Sequence, residues 1–292
     1  MRLPTKIASP WLLSLAAAGL AACGGGGDAG GRPASGASSG DQAAELQHIH
    51  GLGVNPRSGA LVIATHTGLF QAAEGQTRVT RMGESRQDVM GFSVVGPNRF
   101  IGSGHPDPTQ NLPPNLGLIE SRDGGRTWKS ISLSGDADFH VLRSAGTRVY
   151  GFDGTQGRLM VSRDGGRSWS ERRPPAAMFD LAIDPRSSDR IVASTERGLF
   201  RSPDGGRSWR ALRGDVAGLL AWPTRGELYL VGAEGDVTRS SDGGRSFNRV
   251  GDAGGQPAAF VGEGGQLYAA LGDGTVRRSA DGGASWKVRT TP

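Results

Sequence analysis

The sequence predicts an all-β fold, a six-bladed β-propeller, and one repeated pattern with its spacing carries that prediction. The pattern Ser-x-Asp-Gly-Gly-x-(Ser/Thr)-(Trp/Phe) occurs five times, and we call each copy a repeat turn. Its aspartates are Asp123, Asp164, Asp204, Asp242 and Asp281, so that neighbouring copies lie 41, 40, 38 and 39 residues apart. A period near 40 residues is the length of one four-stranded propeller blade.

Each repeat turn has the composition of a β-hairpin loop. Asp-Gly-Gly between two alternating apolar runs is a hairpin signal, because the carboxylate can accept backbone N–H groups and the glycines can adopt a positive φ. We expect the Ser or Thr hydroxyl to add a local hydrogen bond and the Trp or Phe ring to pack between sheets. The fourth copy has the full spacing only if it begins at Ser240, since beginning at Ser241 it is one residue shorter. We assign the repeat turns no chemistry.

The strand pattern indicates six blades, five of them marked by a repeat turn and one preceding the first turn. Blade 1 has no repeat turn, but its residues 65–70 (THTGLF) closely match residues 195–200 (TERGLF) of blade 4. The chain offers no spare strand for exchange between the first and last blades. The predicted innermost strands are residues 48–54, 88–95, 138–144, 179–184, 216–222 and 258–262.

The N-terminal segment predicts that the protein is exported to the cell envelope. Residues 1–22 have the two cations and short apolar run of a signal peptide, and that run is too short to span a membrane. Leu20-Ala21-Ala22-Cys23 resembles a bacterial lipobox, which implies cleavage before Cys23 and lipidation of that residue. The alternative is an ordinary signal peptide with an incidental cysteine. Residues 23–44 would then be the lipidated cysteine with a flexible Gly/Ser-rich tether, and residues 45–292 the propeller.

Composition narrows the choice of partners. Cys23 is the only cysteine, which excludes a disulfide framework. The formal charge is +5, but no dense basic cluster with interleaved aromatic residues occurs, so we expect no nucleic-acid partner. We expect a monomer attached to the membrane by its lipid, with a protein or a glycan as ligand. Because Gly24 rather than Asp follows the cysteine, we expect an outer-membrane lipoprotein facing the periplasm or the cell surface.

All the histidines lie in the first half of the chain, and the predicted register brings them together. Aligning the innermost strands places His50, Met90, His140 and Phe179 at one equivalent position, with His48, Asp88 and Asp138 two residues earlier. Residues two apart on a strand share a face. His66 and His105 end the second strands of blades 1 and 2, and those ends open on the face where innermost strands start. We therefore expect one polar channel mouth, with the repeat turns on the opposite face.

Three interpretations of this mouth stay open. Imidazole, carboxylate and thioether side chains together can bind a transition metal, with copper favoured by Met90 and zinc by the His and Asp side chains. The same groups can bind a polar ligand or move protons. They can also simply satisfy one another around a wet channel. Blade 2 carries an insertion at residues 105–117 on this face, which is either a binding loop or a tolerated insertion.

The repeat turn resembles the Asp box, or BNR repeat, of sialidases, sortilin-type receptors and photosystem assembly factors. In those families the box lies at the outer hairpin of a blade, far from the active channel. Residues 48–53, 88–92, 103–107 and 137–140 resemble bacterial secreted Asp-box proteins that are commonly labelled glycosylhydrolases. The sialidase machinery of a Tyr nucleophile, an Arg triad and an Arg-Ile-Pro motif is not recognisable, because no Arg-Ile-Pro occurs here. Tyr150, Tyr229 and Tyr268 fall at equivalent second-strand positions, which indicates blade packing.

Three functions follow as hypotheses. The first is a lipid-anchored extracytoplasmic propeller that binds a ligand, a metal ion or a partner protein on its histidine-rich face. The second is a glycoside hydrolase, whose paired carboxylates would come from Asp88, Asp107 and Asp138. The third is a structural assembly factor that binds through blade edges. The candidate ligand or metal-binding residues of the first hypothesis are His48, His50, His66, Met90, His105 and His140.

Overall fold

Twenty-four strands form six antiparallel four-stranded sheets in a computed structural model of the chain, which describes Leu46 and residues 48–292. Each sheet takes its strands from one continuous segment, and the order within a sheet follows the chain. The predicted six-bladed β-propeller is confirmed, and in the described part of the chain no strand is exchanged between the first and last blades. No helix in that part is long and apolar enough to cross a membrane. The predicted signal peptide, Cys23 and the whole tether lie outside the described residues.

The strands run in chain order, four to a blade. Blades 1 and 2 contain β1 (Ile49–Val54), β2 (Leu61–Thr65), β3 (Gly68–Ala72), β4 (Thr80–Met82), β5 (Asp88–Gly96), β6 (Arg99–His105), β7 (Leu118–Ser121) and β8 (Lys129–Ser132). Blades 3 and 4 contain β9 (Phe139–Ala145), β10 (Arg148–Asp153), β11 (Arg158–Ser162), β12 (Ser170–Arg172), β13 (Met178–Ile183), β14 (Ile191–Thr195), β15 (Gly198–Ser202) and β16 (Arg210–Arg213). Blades 5 and 6 contain β17 (Leu219–Thr224), β18 (Glu227–Val231), β19 (Asp236–Ser240), β20 (Asn248–Asp252), β21 (Pro257–Glu263), β22 (Gln266–Leu271), β23 (Val276–Ser279) and β24 (Lys287–Thr290).

The innermost strands match their predicted positions closely except in blade 5. There β17 begins at Leu219, three residues later than the predicted start at Val216. The N–H of Gly218 is donated to Ser194 Oγ of the preceding blade at 3.0 Å, so this residue bonds across the blades and does not extend the ladder of its own sheet.

A β-bulge interrupts five of the six innermost strands at one equivalent position. In β1, for example, Ile49 pairs with Thr65 and Gly51 with Ala64, which leaves His50 as the extra residue. A bulge leaves its extra residue out of the ladder and re-aims its side chain. The extra residues in β1, β5, β9, β13 and β21 are His50, Met90, His140, Phe179 and Ala258. The position aligned from sequence is therefore a structural feature of the blades.

The repeat turns share most of one hydrogen-bond pattern. In the first copy, Asp123 Oδ1 accepts from Ser121 Oγ at 2.8 Å and from the N–H groups of Arg126 and Thr127 at 3.1 and 3.0 Å. Asp123 Oδ2 accepts from Thr127 Oγ1 at 2.6 Å. The fourth copy begins at Ser240, whose Oγ lies 2.8 Å from Asp242 Oδ1. The expected local bonds of the carboxylate and hydroxyl are therefore present.

The core lies between the blades. Each apolar cluster joins two neighbouring sheets, and the cluster between blades 6 and 1 closes the ring. Five of these clusters include the aromatic ring of one repeat turn, as the sequence predicted. Arg289 of β24 adds a polar contact at the closure, because its guanidinium donates to the carbonyls of Ala72 and Ala73 of blade 1 at 3.1 and 2.7 Å.

The disc has two chemically different faces. At one face, the repeat turns pack against the first hairpin of their own blade: the N–H of Gly124 donates to Asn98 O, and that of Gly205 to Asp189 O. We call this the turn face. The innermost strands begin, and the second strands end, at the opposite face, which we call the histidine face. The separation follows from the alternating direction of antiparallel strands.

Candidate functional site

Five histidines and two aspartates lie at the histidine face of blades 1 to 3. His50 and His140 are bulge residues of β1 and β9, and His48 precedes β1 with a positive φ of 59°. The other four residues lie where second strands end or where innermost strands start. These members are His66 after β2, Asp88 at the start of β5, His105 at the end of β6 and Asp138 before β9.

The first cluster consists of His48, His50, His66 and Asp88. Asp88 Oδ2 lies 2.7 Å from His66 Nδ1, and Asp88 Oδ1 lies 3.8 Å from His50 Nε2. The His66 ring meets those of His50 and His48 edge to face, at centroid distances of 4.4 and 5.0 Å. Two blades therefore contribute to one compact group, with Asp88 of blade 2 held between two histidines of blade 1.

The second cluster, His105, Asp138 and His140, repeats this design one blade further along. Asp138 Oδ2 lies 2.9 Å from His140 Nε2 and 3.7 Å from His105 Nε2. His105 Nδ1 lies 2.9 Å from the carbonyl oxygen of Pro114, so the insertion of blade 2 orients this ring. Asp138 thus corresponds to Asp88, and His105 to His66.

Three polar atoms of the two clusters are buried without a hydrogen-bond partner among the described residues. They are His50 Nε2, Asp88 Oδ1 and Asp138 Oδ1. A buried acceptor or donor without a partner costs about 1–3 kcal/mol, so native proteins retain few of them unless a water, an ion or a ligand completes the bonding. Each of the two carboxylates at the histidine face therefore has one oxygen that can accept a further bond.

The same arrangement perturbs the titration of the imidazoles in opposite directions. Burial lowers the pKa of His50 to about 4, assisted by the neighbouring charge of His66. The hydrogen bond to Asp88 raises the pKa of His66, and the hydrogen bond to Asp138 raises the pKa of His140. Neighbouring imidazoles at the histidine face thus have pKa values shifted in opposite directions.

Burial by itself would raise the pKa of Asp138, but the bond to His140 and the charges of His105 and His50 lower it. His50 belongs to the first cluster, so it acts on the carboxylate of the second. The two clusters are therefore electrostatically connected.

Three ligand atoms of the first cluster meet the distance requirement of a metal site. His50, His66 and Asp88 can each offer one atom such that all three lie within 4.8 Å of one another. His66 is exposed and the other two are partly buried, so the group is open to solvent on one side. Two imidazoles and one carboxylate are ligands that zinc and other first-row divalent metals accept.

Two predicted site residues, Asp107 and Met90, belong to neither cluster. Both oxygens of Asp107 accept hydrogen bonds from other residues: Oδ2 accepts the N–H of Arg86, just before β5, at 3.0 Å, and Oδ1 accepts the N–H and Oγ1 of Thr109 in its own loop at 2.9 and 2.7 Å. It therefore anchors the insertion of blade 2. Met90 occupies the bulge of β5 and is partly buried, which keeps it at the histidine face.

Sequence reasoning missed Gly154, which follows β10 at the place where His66 follows β2. A Cβ atom there would lie 2.5 Å from His140 Nδ1, so the glycine leaves room for that ring. The signal was available, because the alignment that pairs His66 with His105 also reaches Gly154.

No family model and no curated protein matches the sequence. Solved structures do match it. A GH74 enzyme from Niastella koreensis superposes with a TM-score of 0.61 and 14% identity, covering 84% of this chain and 45% of that one. A GH74 xyloglucanase from Xanthomonas campestris has a TM-score of 0.54 and 17% identity, covering 83% and 45%. YCF48 bound to a D1 peptide has a TM-score of 0.53 and 16% identity, covering 84% and 82%.

These similarities concern the fold. The chain spans less than half the length of the two glycoside hydrolases, and every identity is below the level at which a site is inherited. A propeller fold hosts many unrelated functions, so function has to be argued from the histidine face itself. The chain is thus similar in architecture to glycoside hydrolases and to YCF48.

Proposed function

We propose that the protein is a lipid-anchored extracytoplasmic propeller whose histidine face binds one divalent transition-metal ion through His50, His66 and Asp88. The observation that carries the proposal is that His50 Nε2 and Asp88 Oδ1 are buried, lack hydrogen-bond partners and lie 3.8 Å apart. An ion between them would supply the missing bond to both atoms.

The geometry suits such an ion with small adjustments. Bonds of about 2.0–2.1 Å in a tetrahedral site place neighbouring ligand atoms roughly 3.4 Å apart. The 3.8 Å separation of His50 Nε2 and Asp88 Oδ1 needs only slight contraction. The exposed side of His66 leaves a coordination position for water or a ligand, as in zinc sites with three protein ligands.

Zinc and copper are the expected ions. The His and Asp ligands favour zinc, while Met90 in the neighbouring bulge would favour copper if its thioether joined the site. Attachment through lipidated Cys23 would hold this face in the periplasm or at the cell surface, which is where the lipobox-like sequence directs it.

The test is calorimetric titration of the full chain in detergent, produced without a polyhistidine tag, with Zn²⁺ and with Cu²⁺. We expect one saturable site that His50→Ala and Asp88→Ala abolish. His105→Ala is the matched control, because it removes an imidazole from the second cluster and should leave affinity within threefold. Equal losses in the control and the test variants would contradict the assignment of ligands.

A glycoside hydrolase is the second candidate, and one observation favours it. Asp88 and Asp138 occupy equivalent positions of adjacent blades, and each keeps one oxygen without a partner among the residues described. Paired carboxylates at one channel mouth are what glycoside cleavage needs. Release of reducing sugar from xyloglucan or other β-glucans, lost in both Asp88→Asn and Asp138→Asn, would support this candidate, and inactivity of the wild-type protein on a glycan panel would remove it.

A further inference from the structure

An arginine-lined cavity lies at the turn face, between blades 3 and 4. Its volume is about 90 Å³, and it opens beside the repeat turns that begin at Ser162 and Ser202. Four arginines and one acidic residue line it, so its charge is strongly positive. These charged residues are Arg148, Arg163, Arg172, Arg207 and Asp189.

Two guanidinium groups of this arginine pocket have unused donors. Arg148 is only 9% exposed, and it forms one ion pair, with Asp189. Its Nη1 and the Nε of Arg172 are buried and lack a hydrogen-bond partner among the described residues. A guanidinium cannot lose its proton in a protein, so these donors remain charged and need an acceptor.

In blade 2, the arginines at the equivalent positions have a carboxylate partner. Arg99 and Arg122 stand where blade 3 has Arg148 and Arg163, and both pair with the carboxylate of Glu120, Arg122 at 2.8 Å. Glu120 itself is 6% exposed.

Blade 3 has no counterpart of this carboxylate. Glu120 pairs with Ile101 in the β6–β7 ladder, and the residue at the same place in the β10–β11 ladder is Val161, which pairs with Tyr150. The two arginines of blade 2 therefore share a carboxylate acceptor, and the two corresponding arginines of blade 3 do not have one at that position.

We propose that the arginine pocket binds a phosphate-type oxyanion, whose oxygens take the place that the Glu120 carboxylate has in blade 2. Arginine presents its donors in a planar fork that matches phosphate and sulfate oxygens. Four guanidinium groups exceed what one carboxylate can satisfy, which favours an anion with several acceptor oxygens. The pocket is open to solvent, so it can take the free ion or the phosphate group of a larger molecule.

The test is calorimetry of the full chain in detergent, in a buffer free of phosphate and sulfate, with inorganic phosphate and sulfate as titrants. We expect one saturable site. Val161→Glu restores the carboxylate of blade 2 and should weaken binding at least tenfold. Val161→Gln has similar bulk without the charge and should bind like the wild-type protein.

Two exposed positions keep the test independent of folding. Arg163→Gln removes a lining guanidinium and should weaken binding, whereas Arg126→Gln changes a repeat-turn arginine outside the pocket and should not. Absence of saturable binding by the wild-type protein would overturn the proposal, as would equal affinity in Val161→Glu and Val161→Gln. Glycerol 3-phosphate distinguishes the source: affinity equal to that of inorganic phosphate indicates an attached phosphate group, and much weaker affinity indicates the free ion.

Discussion

Asp180 offers the sharpest test of how the ring is held together. This fully buried carboxylate of β13 accepts from Arg143 Nη2 of blade 3 at 2.6 Å and from the N–H of Leu220 of blade 5 at 2.8 Å. It also accepts the N–H of Leu181 at 2.7 Å. One side chain in blade 4 therefore connects three consecutive blades beside the histidine face.

Replacing Asp180 by Ala removes all three bonds. The N–H groups of Leu181 and Leu220 are buried, and each would lose its acceptor at about 1–3 kcal/mol. The Arg143 guanidinium, about one-third exposed, would lose its partner but retain contact with water. Breaking a buried pair in this way costs roughly 3–5 kcal/mol of unfolding free energy.

The matched control is Asp180→Asn. Burial raises the pKa of Asp180 in spite of its partners, so the charged form is disfavoured at this site and a neutral amide should be tolerated better. Its oxygen can still accept one of the two N–H groups. We expect urea unfolding to give a smaller loss for Asn than for Ala, with unchanged m values. A loss below about 1 kcal/mol for Asp180→Ala would refute this account of the blade contacts.

Three further predictions concern the anchor, the repeat turns and the first cluster. Cys23→Ala should release soluble protein or leave an uncleaved precursor, and unchanged membrane partition would count against lipidation. Hydrogen bonds from Thr127 hold the pKa of Asp123 at about 2. The stability that this carboxylate contributes is therefore present above about pH 4 and is lost as the pH falls from about 4 to about 2. The free energy of unfolding of Asp123→Asn should depend less on pH over that range, and an identical pH dependence would contradict this. Asp88→Asn should lower the pKa of His66, which the Asp88 bond raises, and an unshifted NMR titration would argue against that bond.

Much of the histidine face could be predicted from the sequence because a propeller repeats its register. The 38–41-residue period aligns the innermost strands, and alignment alone places His50 and His140 at one position. What the pattern could not show is that this position is a bulge, since an alternating strand and a bulged one have the same composition. Asp107 was grouped with Asp88 and Asp138 by its charge, whereas its bonds to Arg86 and Thr109 depend on the insertion of blade 2, which the period does not repeat.

The arginine pocket was not predictable in the same way. Arginines are scattered through all the repeats, and only the pairing of strands shows which of them share a carboxylate. The sequence gives no sign that Glu120 and Val161 are related, and only the two strand ladders show that they occupy equivalent positions. Glu120 provides a carboxylate to two arginines of blade 2, whereas Val161 provides none to the two corresponding arginines of blade 3.

Anomalous diffraction from crystals of the wild-type protein grown with Zn²⁺ tests the central claim most directly. We predict one strong peak at the histidine face, about 2.0–2.2 Å from nitrogen atoms of His50 and His66 and from an oxygen of Asp88. Data collected from His50→Ala crystals should show no peak there. A peak bound by other residues, or none at saturating zinc, would contradict the assignment of this site.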